Sequence, residues 1–106
     1  MDCESLEKML ARGQDNLLLR FGLGGEYVRN QDYARAIPHL EKALSFDPKH
    51  AAAWKLLALS YKETGRIDEA RKAYEEGINV ASAGGHLQAV KEMTVFLKRL
   101  NKTETP

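Results

Sequence analysis

Apolar residues fall three and four apart along most of the chain, the spacing that gathers side chains on one face of a helix. The clearest case runs from Ala51 to Val80. Trp54, Leu57, Ala58 and Tyr61 share one face, Gly65 interrupts, and Ala70, Tyr74 and Ile78 share the next. The pattern predicts two amphipathic helices joined by a tight turn, and neither can bury its apolar side alone. Upstream, Asp15 or Asn16 can cap a helix to about Arg29, with Leu17, Leu19, Leu23, Tyr27 and Val28 among its apolar positions. Asp32 can cap another to about Phe46, where Asp47-Pro48 stops it. A short helix is expected over Asp2 to Arg12, with Leu6, Met9 and Leu10 on one edge and Gly13 at its end. A last one is expected from about His86 to Leu100, carrying Leu87, Val90, Met93, Leu97 and Leu100. Residues 102–106 are polar and read as a disordered tail. No stretch alternates apolar with polar as a strand would. The chain therefore reads as all-α, with about five helices.

Two stretches oppose that pattern. Gly22, Gly24 and Gly25 lie inside a helix, where each costs roughly 1 kcal/mol against Ala. Pro38 lies in the second turn of its helix and removes a backbone hydrogen bond, so a kink or a loosened turn is expected there.

The two helix pairs are copies. Leu23 and Leu57 are 34 residues apart, as are Tyr27 and Tyr61, Ala36 and Ala70, Leu40 and Tyr74, Ala43 and Gly77, and Leu44 and Ile78. A period of this length means stacked helical hairpins. The better copy carries Trp54, Leu57-Ala58, Tyr61, Gly65, Ala70 and Tyr74. This resembles the tetratricopeptide repeat. The upstream copy departs from that pattern at Arg20, where Trp is usual, and at Gln31, where Gly is usual. The resemblance implies a helical-hairpin solenoid: one domain over 1–101, with repeat one at 17–50, repeat two at 51–84 and a closing helix at 86–100. Shifting by 34 once more puts Lys91-Glu92 where Leu57-Ala58 stood, so a third repeat does not follow in register.

In this family the first helix of each hairpin lines a concave groove that holds a peptide or a partner helix. By helical phase the groove here would carry Phe21, Gly25 and Arg29, then Lys55, Leu56, Leu59 and Lys62, then Val90 and Met93. The expected action is burial of a partner's apolar side chains, with Arg29, Lys55 and Lys62 pairing with its acidic groups. The alternative is a homodimer whose groove is self-occupied. Family members that grip a chaperone's C-terminal carboxylate use Lys, Asn and Arg on this face. At those places stand Phe21, Gly25, Leu56, His86 and Val90, which disfavours that activity.

Composition narrows the reading further. Sixteen basic against 15 acidic residues give a net charge of +1, no footprint for nucleic acid or an anionic membrane. No apolar run approaches the ~20 residues of a membrane span. His39, His50 and His86 are scattered, and no set of ligands or acid–base groups converges, so neither metal, cofactor nor enzymatic activity is expected. Gly22-Leu23-Gly24-Gly25 lacks the spacing of a phosphate loop and follows no strand. Cys3 is the single cysteine, and MDCESLEKML lacks the basic-then-apolar order of a signal peptide, so a cytoplasmic location is expected.

Overall fold

Each hairpin begins where a polar side chain takes over an orphan backbone N–H. The computed structural model describes residues 2–104, with side chains as far as Lys102. Six helices follow one another: α1 (Cys3–Ala11), α2 (Leu17–Arg29), α3 (Tyr33–Phe46), α4 (Ala51–Glu63), α5 (Ile67–Ala83) and α6 (Leu87–Glu104). Asp2 accepts from the Ser5 N–H at 2.8 Å, Asn16 from Leu19 at 2.9 Å, and His50 Nδ1 from Ala53 at 3.1 Å. Turns between helices repeat one closure. Arg66 N donates to the Tyr61 carbonyl and Asp32 N to the Tyr27 carbonyl, both at 2.8 Å. That closure needs a left-handed residue, supplied by Gly65 at φ 81° and by Gln31 at φ 61°. Gln31 holds this conformation at a cost of roughly 1–2 kcal/mol that glycine would avoid.

The helices stack in a simple order. α2 pairs with α3 and α4 with α5, and α3 packs on α4. α2 also approaches α4, and α4 approaches α6, whereas the backbones of α1, α3 and α5 stay apart and meet only through side chains such as Glu7 and His39. The even-numbered helices therefore form the inner, closer-set row and the odd-numbered ones the outer, splayed row. Close approach between neighbouring helices depends on missing side chains. A Cβ on Gly24 would lie 2.5 Å from Leu40 Cδ2, and one on Gly77 would lie 2.6 Å from Met93 Sδ. Leu23, Ala36, Leu40, Ala43, Ala58, Ala70 and Tyr74 are buried between the helices, and burial of the Tyr74 ring pushes its phenol up to about 12.

α1 belongs to the repeat pattern. Leu6, Glu7 and Leu10 precede Leu40, Glu41 and Leu44 by 34 residues. The contacts repeat as well: Tyr27 Oη donates to Glu7 at 3.0 Å, and Tyr61 Oη donates to Glu41 at 2.6 Å. α1 thus takes the place of an outer helix, equivalent to α3.

α3 stays α-helical on both sides of Pro38, which lies on the exposed side of the helix, away from the packed apolar face. Two expectations are corrected here. Among the described residues the helices number six rather than about five. The expected tail at 102–106 is helical as far as Glu104, because buried Leu100 anchors the last turn and Arg71 Nε donates to Asn101 Oδ1 at 2.8 Å. Residues 105–106 lie outside the described residues.

Candidate functional site

The inner row offers one continuous face, and the helix register decides which residues stand on it. α4 begins at Ala51 and α6 at Leu87, 36 residues later. The two extra residues arise in α5, which is 17 residues long against 14 for α3. Asp47-Pro48 stops α3, whereas Ala81-Ser82-Ala83 continues the helix until Gly84 and Gly85. In this frame Met93 takes the place of Leu57, and Val95 the place of Leu59.

Met93 is therefore corrected from groove residue to core. It is fully buried, and its sulfur occupies the space left by Gly77. Val90 takes the place of Trp54 and is half-buried against the core. Val95, 44% exposed, stands on the inner face instead and was missed in the sequence. Ending α5 at Gly84-Gly85 without a Pro stop is the sequence signal that moves the frame by two residues.

The remaining expected residues sit as follows. Phe21 is half-buried, its ring 4.4 Å from that of His50. Leu56 is half-buried against the core, and Leu59 is half-buried beside it on the inner face. A Cβ on Gly25 would meet no atom within 4 Å, so this position opens onto free space. Leu18, one turn before Phe21, is 81% exposed. The three expected cations already have carboxylates. Lys55 Nζ lies 2.7 Å from Glu92 Oε2 across α4 and α6, Arg29 is 3.7 Å from Glu26, and Lys62 is 3.8 Å from Glu63. The Lys55 hydrogen bond, helped by Gln88, holds the Glu92 carboxyl below its ordinary range. At the chaperone-carboxylate positions the observed frame places Gln88 and Glu92 on α6, and a carboxylate there repels a carboxylate ligand. An open cavity of about 680 Å³ lies between the first turns of α4 and α6, lined by Lys49, His50, Ala52, Lys55, His86 and Leu87 among others.

A second polar cluster was not foreseen. Arg20 stands at the position equivalent to Trp54. Its guanidinium binds both oxygens of Asp15, at 2.7 and 3.0 Å, and reaches His39 Nδ1 at 3.0 Å. Arginine can only donate, so Nδ1 accepts and the ring proton sits on Nε2. Nε2 faces Glu7 Oε1 at 3.7 Å, and the ring stacks on Tyr27 with centroids 5.6 Å apart. Burial lowers the His39 pKa, and Arg20 adds to that, against an opposing pull from Glu7. The cluster ties α1, α2 and α3 together where Trp54, through its Nε1–H to the Pro48 carbonyl at 2.8 Å, fixes the next repeat. Among the described residues no three His, Cys, Asp or Glu converge as metal ligands. None of the described helices is long and apolar enough to cross a membrane.

A stack of antiparallel helical pairs repeating one set of contacts defines a helical-repeat protein. The chain belongs to the tetratricopeptide repeat family, whose sequence profile matches residues 27–92. It is 49% identical over 105 residues to the TPR repeat-containing protein PA0015 of Pseudomonas aeruginosa, covering 99% of this chain and all of that one. The solution structure of protein BPP2914 from Bordetella parapertussis is similar at TM-score 0.83 and 45% identity, over 96% of this chain and 89% of that one. A tetratricopeptide repeat domain protein from Salinibacter ruber shares the fold at TM-score 0.77 and 23% identity, over 87% and 93% of the two chains. The fold is that of a protein–protein interaction module.

Proposed function

We propose that the chain is a non-catalytic adaptor that holds an extended peptide or a partner helix along the inner face of α2, α4 and α6. The observation that carries this reading is the uncovered apolar strip on that face. Leu18 is 81% exposed, Leu59 is half-buried, and Gly25 opens onto free space. An exposed apolar strip framed by charges is characteristic of a partner site. Because Lys55 is held by Glu92, apolar contact supplies the affinity here and the paired charges form the rim. The single cysteine fits a reducing, cytoplasmic setting.

Selection of a displayed library of short random peptides tests the reading, with the Phe21→Ala/Leu59→Ala variant as control. Truncating two central apolar contacts at about 1–2 kcal/mol each weakens the selected peptides roughly 30- to 1000-fold. Phe21 also packs on His50, so a second variant, Leu18→Asp, separates binding from folding. Its side chain is solvent-exposed, and the variant unfolds at the wild-type temperature while losing the peptide. Undiminished binding by both folded variants removes the inner face from the account.

A further inference from the structure

The charges of α6 are arranged unlike those of the other helices. Elsewhere cations mostly stand beside carboxylates: Lys8 with Glu4, Arg29 with Glu26, Arg35 with Asp32, and Arg71 with Asp68. On α6 the one carboxylate among the described side chains, Glu92, is committed to Lys55. Lys91, Lys98, Arg99 and Lys102 are exposed and have no partner among the described residues. The attraction of cations to a helix C-terminus accounts for Lys102, in the last turn, but not for Lys91, Lys98 or Arg99. Spacing supplies the second observation. Lys91, Val95, Lys98 and Lys102 follow at i, i+4, i+7 and i+11, one stripe opposite buried Met93 and Leu100. In the 36-residue frame Lys91, Val95 and Lys98 continue Lys55, Leu59 and Lys62 of α4. The stripe is the third rung of the inner face. Among the described residues it is also the rung whose cations Lys91 and Lys98 stand without a carboxylate partner.

We infer that the partner of this face is a protein segment apolar at one end and acidic at the other. Its apolar end lies over Leu18 and Gly25 of α2, and its Asp or Glu side chains lie over Lys91, Lys98 and Lys102 of α6. This rests on the groove reading above and adds the chemistry and the direction of the ligand. Charge complementarity selects the occupant: α2's end of the face is apolar, with Arg29 held by Glu26, and positive charge accumulates only towards α6. The apolar Val95 inside the basic stripe favours a protein segment over a bare polyanion.

The test repeats the peptide selection on the wild type and on a Lys91→Glu/Lys98→Glu variant, whose substituted side chains are exposed and leave the core untouched. The wild type enriches peptides that combine apolar residues with Asp or Glu, and the variant enriches Lys or Arg in their place. The best wild-type peptide, followed by fluorescence anisotropy, weakens at least about tenfold on charge reversal and with added salt, as exposed ion pairs are screened. If selected peptides carry no acidic residues, or charge reversal leaves the selection unchanged, the inference is overturned. The groove reading then survives as long as Leu18→Asp still abolishes binding. Enrichment of no peptide at all sinks the groove reading and the inference together. Vesicles containing phosphatidylserine complete the test. Charge-dependent binding to them without any acidic peptide consensus replaces the protein partner with a lipid surface and overturns the inference.

Discussion

Gly24 and Gly25 are neighbours in one helix with opposite duties. A Cβ on Gly24 would press within 2.5 Å of Leu40, which is fully buried and has no room to turn away. Gly24→Ala gains roughly 1 kcal/mol of helix propensity but incurs about 1–3 kcal/mol of overpacking, for a net loss of stability. Gly25→Ala meets no atom and gains about 0.5–1 kcal/mol. Urea denaturation of the two variants should therefore move in opposite directions. The sequence alone marked both as costly and could pair Gly24 with Ala58 by spacing. It could not separate the close contact from the open floor, because the difference depends on where Leu40 lies. His39 makes a second case at this scale. Its pKa is lowered in the fold, so below the ordinary histidine value of about 6.5 the unfolded chain binds the proton more readily than the folded one. The stability tied to neutral His39 is complete above that value and is lost as the pH falls through the window below it. Arg20 and Glu7 face the ring from α2 and α1, with Asp15 and Tyr27 around them. His39→Gln, which keeps an acceptor for Arg20, should flatten the decline in urea midpoint between neutral and mildly acidic pH. An undiminished decline would assign that pH dependence to other groups.

Among the elements, the two hairpins were legible because their packing residues recur at one spacing: Tyr27 with Tyr61, Ala36 with Ala70, Leu40 with Tyr74. The outer helix α1 was legible as a helix, though its place in the repeat rests on Glu7 and Glu41 meeting successive tyrosines. The inner face was half legible as geometry. α2 and α4 share one frame, so a single helical phase relates Phe21 and Gly25 to Lys55 and Leu59. α6 does not share it, since α5 overruns by two residues before Gly84-Gly85, and its rung moved from Val90 and Met93 to Val95. The Arg20–His39 cluster was illegible, because its members come from α1, the following turn, α2 and α3 and share no periodicity. The frame shift makes a direct prediction. Met93→Ala removes a fully buried side chain and should cost about 2–5 kcal/mol in urea denaturation. Val95→Ala, at 44% exposure, should change stability by no more than about 0.5 kcal/mol. Similar losses at both positions would place α6 in the wrong rotation.

At the scale of the whole molecule, the six described helices run from an outer helix, α1, to an inner one, α6. Such ends are complementary in frame: α1 of one copy could complete the hairpin that α6 of another leaves open. A head-to-tail contact of that kind does not close on itself and would grow into a fibre. The small residues that let hairpins close are absent from both ends. Within the stack, Gly24 and Ala58 face outer helices carrying Ala36 and Ala43, or Ala70 and Gly77, and all of these are buried. At the corresponding end positions stand Thr94 on α6, and Asp2 and Met9 on α1. Gly24 already sits so close to Leu40 that a single added carbon would clash, so Thr94 denies the same approach to a second copy's Leu6. Asp2 is further committed to the Ser5 N–H as the cap of α1. Thr94, Asp2 and Met9 therefore oppose this contact, and the 106-residue chain should sediment at one coefficient across a wide range of concentration. Met9→Ala/Thr94→Gly restores two of the small positions while keeping the Asp2 cap, and should sediment faster as concentration rises. Concentration-dependent association of the wild type, undisturbed by enlarging Thr94 to Phe, would show that copies meet through a different surface.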